Sequence, residues 1–160
     1  TGTIESNITL NRPGLGAGDA SAALIEVGGG AFLARLADGI KTEVRERGSE
    51  FSAGERQLIS FARALAQNPT VLILDEATSH IDSETEDIIQ KGIERLSRGR
   101  TTLIIAHRLS TIRHASRIYV LSQGQIVESG SHQELMAMGG IFADMAAMQT
   151  RQSRTGGEWP

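Results

Sequence analysis

Cysteine is absent from this chain, which removes disulfides, thiolate catalysis and cysteine metal sites together and agrees with a reducing compartment. No apolar run approaches the ~20 residues that span a bilayer. The first residues lack the charged-then-apolar pattern of a signal peptide, and the sequence reads as that of a soluble segment. Basic residues are not in excess: 16 Lys and Arg against 19 Asp and Glu give a net charge of -3. No basic stripe of the kind that neutralises a nucleic-acid backbone is present, so direct DNA or RNA binding is disfavoured. There is no internal repeat and no low-complexity tract. Also missing is a glycine-rich loop ending in Lys-Ser or Lys-Thr, the device that cradles the phosphates of a bound nucleotide. The chain starts at Thr1, without an initiator Met and inside what reads as an ordered segment, so it is expected to be a piece of a longer polypeptide.

What is present suits one compact domain: 160 residues, 39% hydrophobic and 22% charged, can build a core. Residues 1–48 read as helix and loop. Asn11-Arg12-Pro13-Gly14 breaks the chain, Asp19 is placed to cap a helix over 20–27, and Gly28-Gly29-Gly30 interrupts before 31–36. Ser52 with Glu55 has capping-box spacing, and Leu58, Ile59, Phe61, Ala62 and Leu65 keep to one side of a helix ending near Ala66. The branched apolar run 71–74 predicts a strand covered on both faces. A helix follows, with Ile89, Ile93 and Leu96 buried, and then a second apolar strand over 101–106. Strand, helix and strand make a parallel unit with a right-handed crossover. Stretches 117–121 and 125–128, parted by Gln123-Gly124, read as a hairpin added to the sheet. Ser131 with Glu134 caps a last helical region, and the tail from Arg151 reads as loose.

The chemistry gathers at two places. The run Phe51-Ser52-Ala53-Gly54-Glu55-Arg56-Gln57 opens a helix whose unpaired N–H groups and positive dipole end favour an anion. Gly54 would let a phosphate approach, and Ser52 adds a hydroxyl donor. The plain alternative is an ordinary capped helix. Second, Val71-Leu72-Ile73-Leu74-Asp75-Glu76 sets two carboxylates at a strand end. Asp75 there suits a hydrated Mg²⁺ bridging nucleotide phosphates, while Glu76 can act on a water as general base. His107 closes the neighbouring strand, on the sheet edge where open α/β folds bind ligands, and could hold a terminal phosphate or the attacking water. Asp82 either serves this site or only caps the following helix.

These residues resemble the ATP-binding cassette (ABC) family, in particular the nucleotide-binding domain of an exporter-type transporter. Phe51-Ser52-Ala53-Gly54-Glu55 resembles the signature Leu-Ser-Gly-Gly-Gln, residues 71–75 the Walker B strand and Glu76 the catalytic glutamate. Ser79-His80-Ile81-Asp82 resembles the D-loop, Ile105-Ala106-His107-Arg108-Leu109-Ser110 the switch-histidine segment, and residues 42–48 the loop that meets the transmembrane coupling helices. The likeness runs to about Gln149. Ala53 replaces a signature glycine and Glu55 the glutamine, which resembles one branch of bacterial exporters.

The resemblance implies an α/β fold, a partial P-loop NTPase (RecA-like) core with parallel strands plus an N-terminal helical subdomain. It divides the chain into a helical subdomain with the signature (1–67), the C-terminal part of the ATPase core (68–150) and a flexible tail (151–160). It implies ATP and Mg²⁺ as cofactors, with Asp75 on the metal and Glu76 and His107 in hydrolysis. Ser52, Ala53, Gly54, Glu55 and Asp82 would face nucleotide. Its partners would be a second nucleotide-binding domain, in a homo- or heterodimer, and transmembrane coupling helices meeting residues 42–48, at the cytoplasmic face of the cell membrane. The expected function is ATP hydrolysis coupled to transport, with the isolated 160-residue chain inactive. The alternatives are a silent module that lends its signature helix to a complete ATPase, and a DNA-repair or chromosome-organising cassette ATPase; the loop at 42–48 and the lack of a basic surface weigh against the latter.

Overall fold

The computed structural model describes residues 1–75, 83–106 and 109–155. They form a mixed α/β structure in two compact units, Thr1–Ile105 and Ala106–Pro160.

In the first unit a short strand β1 (Gly2–Thr3) pairs antiparallel with β2 (Glu43–Val44). Helix α1 (Ile4–Thr9) starts at Thr3, whose Oγ1 accepts from the Ser6 N–H at 3.1 Å. It stops at Leu10 and Asn11, both in the left-handed region at φ 52°, just where the Asn-Arg-Pro-Gly breaker begins. Helix α2 spans Ala17–Leu24. Its cap differs from the sequence expectation: Gly16 is the capping residue, and Asp19, already inside the helix, accepts from the Gly16 N–H at 2.9 Å. A carboxylate at the third helical position can reach back as well as one at the cap can reach forward, so the same aspartate marks two possible starts. The triple glycine behaves as read. The stretch Ile25–Gly29 is a kink, with Gly28 at φ 101° breaking the helical path before α3 (Gly30–Ala34).

Helix α4 (Ala53–Ala66) is the amphipathic helix read from the sequence, burying Leu58, Ile59, Phe61 and Ala62. It is bolted to the end of α1, where helix carbonyls need outside partners. Arg63 Nε donates to the Asn7 carbonyl at 2.6 Å, and Gln67 Nε2 donates to those of Ile8 and Thr9 at 3.3 and 3.2 Å. Strands β3 (Val71–Asp75) and β4 (Thr101–Ile105) pair in parallel without stagger, Val71 opposite Thr101 and Asp75 opposite Ile105. Helix α5 (Ser83–Ser97) lies between them in sequence and buries Ile89, Ile93 and Leu96. One core joins Ile4, Leu24, Val27, Phe61, Leu72, Ile89 and Leu96. The strand expected to be covered on both faces is covered on one: Leu72 and Leu74 point into the core, while Val71 and Ile73 stay 57% and 65% exposed. Successive strand residues alternate in direction, and the helical layer of this unit takes up only one of the two sides.

The second unit contains α6 (Leu109–Ile112), the hairpin β5 (Ile118–Ser122) and β6 (Gln125–Gly130), α7 (His132–Met138) and α8 (Ile141–Thr155). Gln123 and Gly124 have φ of 49° and 76°, the left-handed pair of a tight turn whose twist suits a hairpin. The hairpin was expected to join the sheet. Among the described residues it is a two-stranded sheet of its own, closed by its two-residue turn, with the outer edge of each strand left without a ladder partner. Ser131 Oγ accepts from the Glu134 N–H at 3.3 Å, and Glu134 accepts from the Ser131 N–H at 2.7 Å, the capping box read at that spacing. Glu128, on β6, holds the start of α8 by accepting from the N–H groups of Ile141 and Phe142 at 2.6 and 3.0 Å. Ile118, Val120, Leu135 and Phe142 form this unit's core. Helix α8 runs past Arg151 to Thr155. No helix among the described residues is long and apolar enough to cross a membrane.

Candidate functional site

The start of α4 is built by a closed set of local bonds. Ser52 has extended backbone (φ -61°, ψ 163°), as a capping residue must before the helix begins. Its Oγ accepts from the Glu55 N–H at 3.2 Å, and Glu55 Oε2 accepts from the Ser52 N–H at 2.8 Å. Ser52 Oγ accepts in this box and keeps its own O–H proton, so the hydroxyl can still donate outward. Ser52 is exposed, Ala53 and Glu55 are half-buried and Gly54 is buried. The hydroxyl is therefore presented more openly than the Gly54 backbone.

Behind this turn Phe51 is buried and meets Phe32 edge-on, ring centres 5.4 Å apart. Arg56 Nη1 donates to the carbonyls of Phe51 and, at 3.4 Å, Gly48. Gly48, at φ 62°, sits where an added Cβ would touch the Arg56 side chain at 3.4 Å. These contacts tie the signature-like turn to the loop at 42–48, in which the Arg45 N–H donates to Glu50 Oε1 at 2.9 Å. That bond, with the Arg45 charge as a lesser contributor, holds the Glu50 carboxyl below its ordinary range.

Sequence reasoning missed Arg35. Its Nη2 donates to Glu55 Oε1 across twenty residues of chain, an ion pair that no local spacing announces.

Asp75 ends β3, exposed, with Ile105 as its register partner on β4. A lone carboxylate there suits Mg²⁺, which keeps most of its waters and takes one or two carboxylates plus phosphate oxygens. Among the described residues no three acidic or histidine side chains gather as a protein-only metal cage would require. Glu76, Asp82 and His107 lie outside the described residues. The structure thus brings Ser52, Ala53, Gly54 and Glu55 together at one helix start and sets Asp75 at the carboxyl end of the parallel pair.

Comparison with known proteins bears on this arrangement. A family model described as ABC transporter matches residues 20–79, the stretch that holds both the capped turn and Asp75. A probable multidrug resistance ABC transporter ATP-binding/permease protein, YheH of Bacillus subtilis (strain 168), is 52% identical over 155 residues, 97% of this chain and 23% of that protein. The chain belongs to the ABC transporter family. It corresponds to the nucleotide-binding domain of an ABC exporter over most of its 160 residues. An ATP-dependent lipid A-core flippase of Syntrophus aciditrophicus (strain SB) is 44% identical over 156 residues, 98% of this chain and 26% of that protein. Among solved structures, a bacterial Atm1-family ABC exporter with ATP bound matches at a TM-score of 0.81 and 42% identity, covering 92% of this chain and 26% of that one. This ABC transporter chain spans about a quarter of the length of these relatives, and its mixed α/β fold with a parallel strand pair matches an ABC ATPase domain.

Proposed function

We propose that this chain is part of the ATP-binding and ATP-hydrolysing domain of an ABC exporter, coupling hydrolysis to the movement of membrane helices. The observation that carries the reading is the capped helix start at Ser52 and Glu55 in the same compact unit as a parallel strand ending in Asp75. In this reading residues 1–67 form a helical subdomain whose Ser52, Ala53, Gly54 and Glu55 face nucleotide held by a second nucleotide-binding domain, and Asp82 lies against that interface. Residues 68–150 belong to the chain's own catalytic core. There Asp75 would hold Mg²⁺, which supplies positive charge to the phosphates. Glu76 accepts a proton from the attacking water, and His107 keeps that water or the terminal phosphate in line. The loop at 42–48, fastened to the signature-like turn through Arg56 and Gly48, meets coupling helices at the cytoplasmic face of the membrane.

The test uses the full-length transporter in vesicles. Glu76→Gln should cut ATP turnover by about 100-fold or more, the usual worth of a general base, with ATP still bound. Turnover within a few-fold of the parent would reject the reading. The 160-residue chain alone should hydrolyse ATP negligibly, since its sequence carries no lysine-bearing phosphate loop.

A further inference from the structure

Glu55 presents a difficulty for the proposed site. A carboxylate at the turn that faces a triphosphate repels it, and the neutral glutamine of the family signature does not. The structure supplies a counter-charge. Arg35 closes α3 at its C-cap position and donates through Nη2 to Glu55 Oε1, while the other carboxylate oxygen is taken by the Ser52 N–H. Glu55 is thereby held at both ends, with its side chain 19% exposed and that of Arg35 69% exposed. Phe32, three residues before Arg35 and so on the same side of the helix, packs edge-on against Phe51. One short helix face therefore grips the residues on either side of Ser52, by ring contact on one flank and by charge on the other.

We propose that Arg35 is a positioning residue for nucleotide engagement: its pairing with Glu55 offsets the carboxylate's charge and fixes the helix start, so that Ser52 can meet a phosphate. The inference rests on the reading above, that this turn faces nucleotide on a partner domain. The Arg35 side chain is mostly solvated, so its removal should spare folding and appear in nucleotide affinity. The contact is a single bond from Nη2 to Oε1, so lysine, which keeps the charge on a more flexible stem, can replace it in part.

The experiment is steady-state ATPase kinetics of the full-length transporter. Arg35→Ala should raise KM for ATP about fivefold, the effect of one unpaired charge at ~4 Å in water, with kcat changed less than about twofold. Arg35→Lys should recover part of the loss. In a Glu55→Gln background Arg35→Ala should leave KM unchanged, since no charge then needs offsetting. An equal rise in both backgrounds, or no rise in either, overturns the proposal. Ser52→Asp separates this from the parent reading: aspartate caps a helix as well as serine but adds a negative charge. If Ser52→Asp leaves KM alone, the nucleotide reading fails and this proposal falls with it; if Ser52→Asp raises KM while Arg35 and Glu55 prove uncoupled, only the role of Arg35 is lost.

Discussion

Among the described residues, glutamate at the third position of a helix occurs twice with the same partner, Ser52 for Glu55 and Ser131 for Glu134. The second pair offers a pH test free of nucleotide. The Ser131 N–H, and after it the Ser131 hydroxyl, hold the Glu134 carboxyl below its ordinary value of 4.5. A carboxyl depressed in the folded state contributes stability that is fully present above the unfolded value and is lost as pH falls through the folded one. Glu134→Gln should therefore lower the melting temperature at pH 7, and the difference from the parent should shrink at pH 3. Equal differences in thermal melts at both pH values would reject the assignment. Both caps were legible because the information is local, a serine and a glutamate three residues apart. The Arg35–Glu55 pair was not, since only tertiary packing brings residues twenty apart into contact. Asp19 shows an intermediate case: the residue was identified correctly and its position in the helix was not, because Gly16 caps without a side chain to announce itself.

Among the elements, α4 and α5 depend on one close approach. A Cβ added at Gly92 would stand 2.9 Å from the Val27 carbonyl and 3.2 Å from the Phe61 ring. Alanine at a helix interior normally gains about 1 kcal/mol over glycine. Here a backbone oxygen must move, and overpacking of that kind costs about 1 to 3 kcal/mol. Gly92→Ala should thus destabilise the chain by roughly 1 kcal/mol net, read as a lower midpoint in urea; a higher midpoint would show that the helices have slack. The sequence displayed the buried stripe of α5 as Ile89, Ile93 and Leu96. It gave no sign that the glycine beside them is where another helix turn rests, because a stripe identifies the buried side and not the distance to what covers it.

At the scale of the whole molecule, the apolar run 71–74 was readable as a strand, and its parallel partner at 101–105 was readable too. Which sides would be covered was not, since an unbroken apolar run looks the same whether one face or both find a neighbour. Val71, Ile73, Leu103 and Ile105 are all about half exposed or more. Contiguous apolar surface on a sheet, beside unpaired strand edges, is a site of association. The 160-residue chain should sediment as a concentration-dependent mixture, and Ile73→Lys with Leu103→Lys should shift it toward monomer. A parent chain that stays monomeric at all concentrations would refute this.

The parallel strands march in step, with Val71 level with Thr101 and Asp75 level with Ile105. Whatever follows each strand therefore departs from the same height. Deleting one residue from either would lower one exit by about 3.3 Å and turn its side chains over, so the chain should accept length changes in the turn after α1 and refuse them here. Spacing within these ten positions is constrained by geometry before any question of residue type arises.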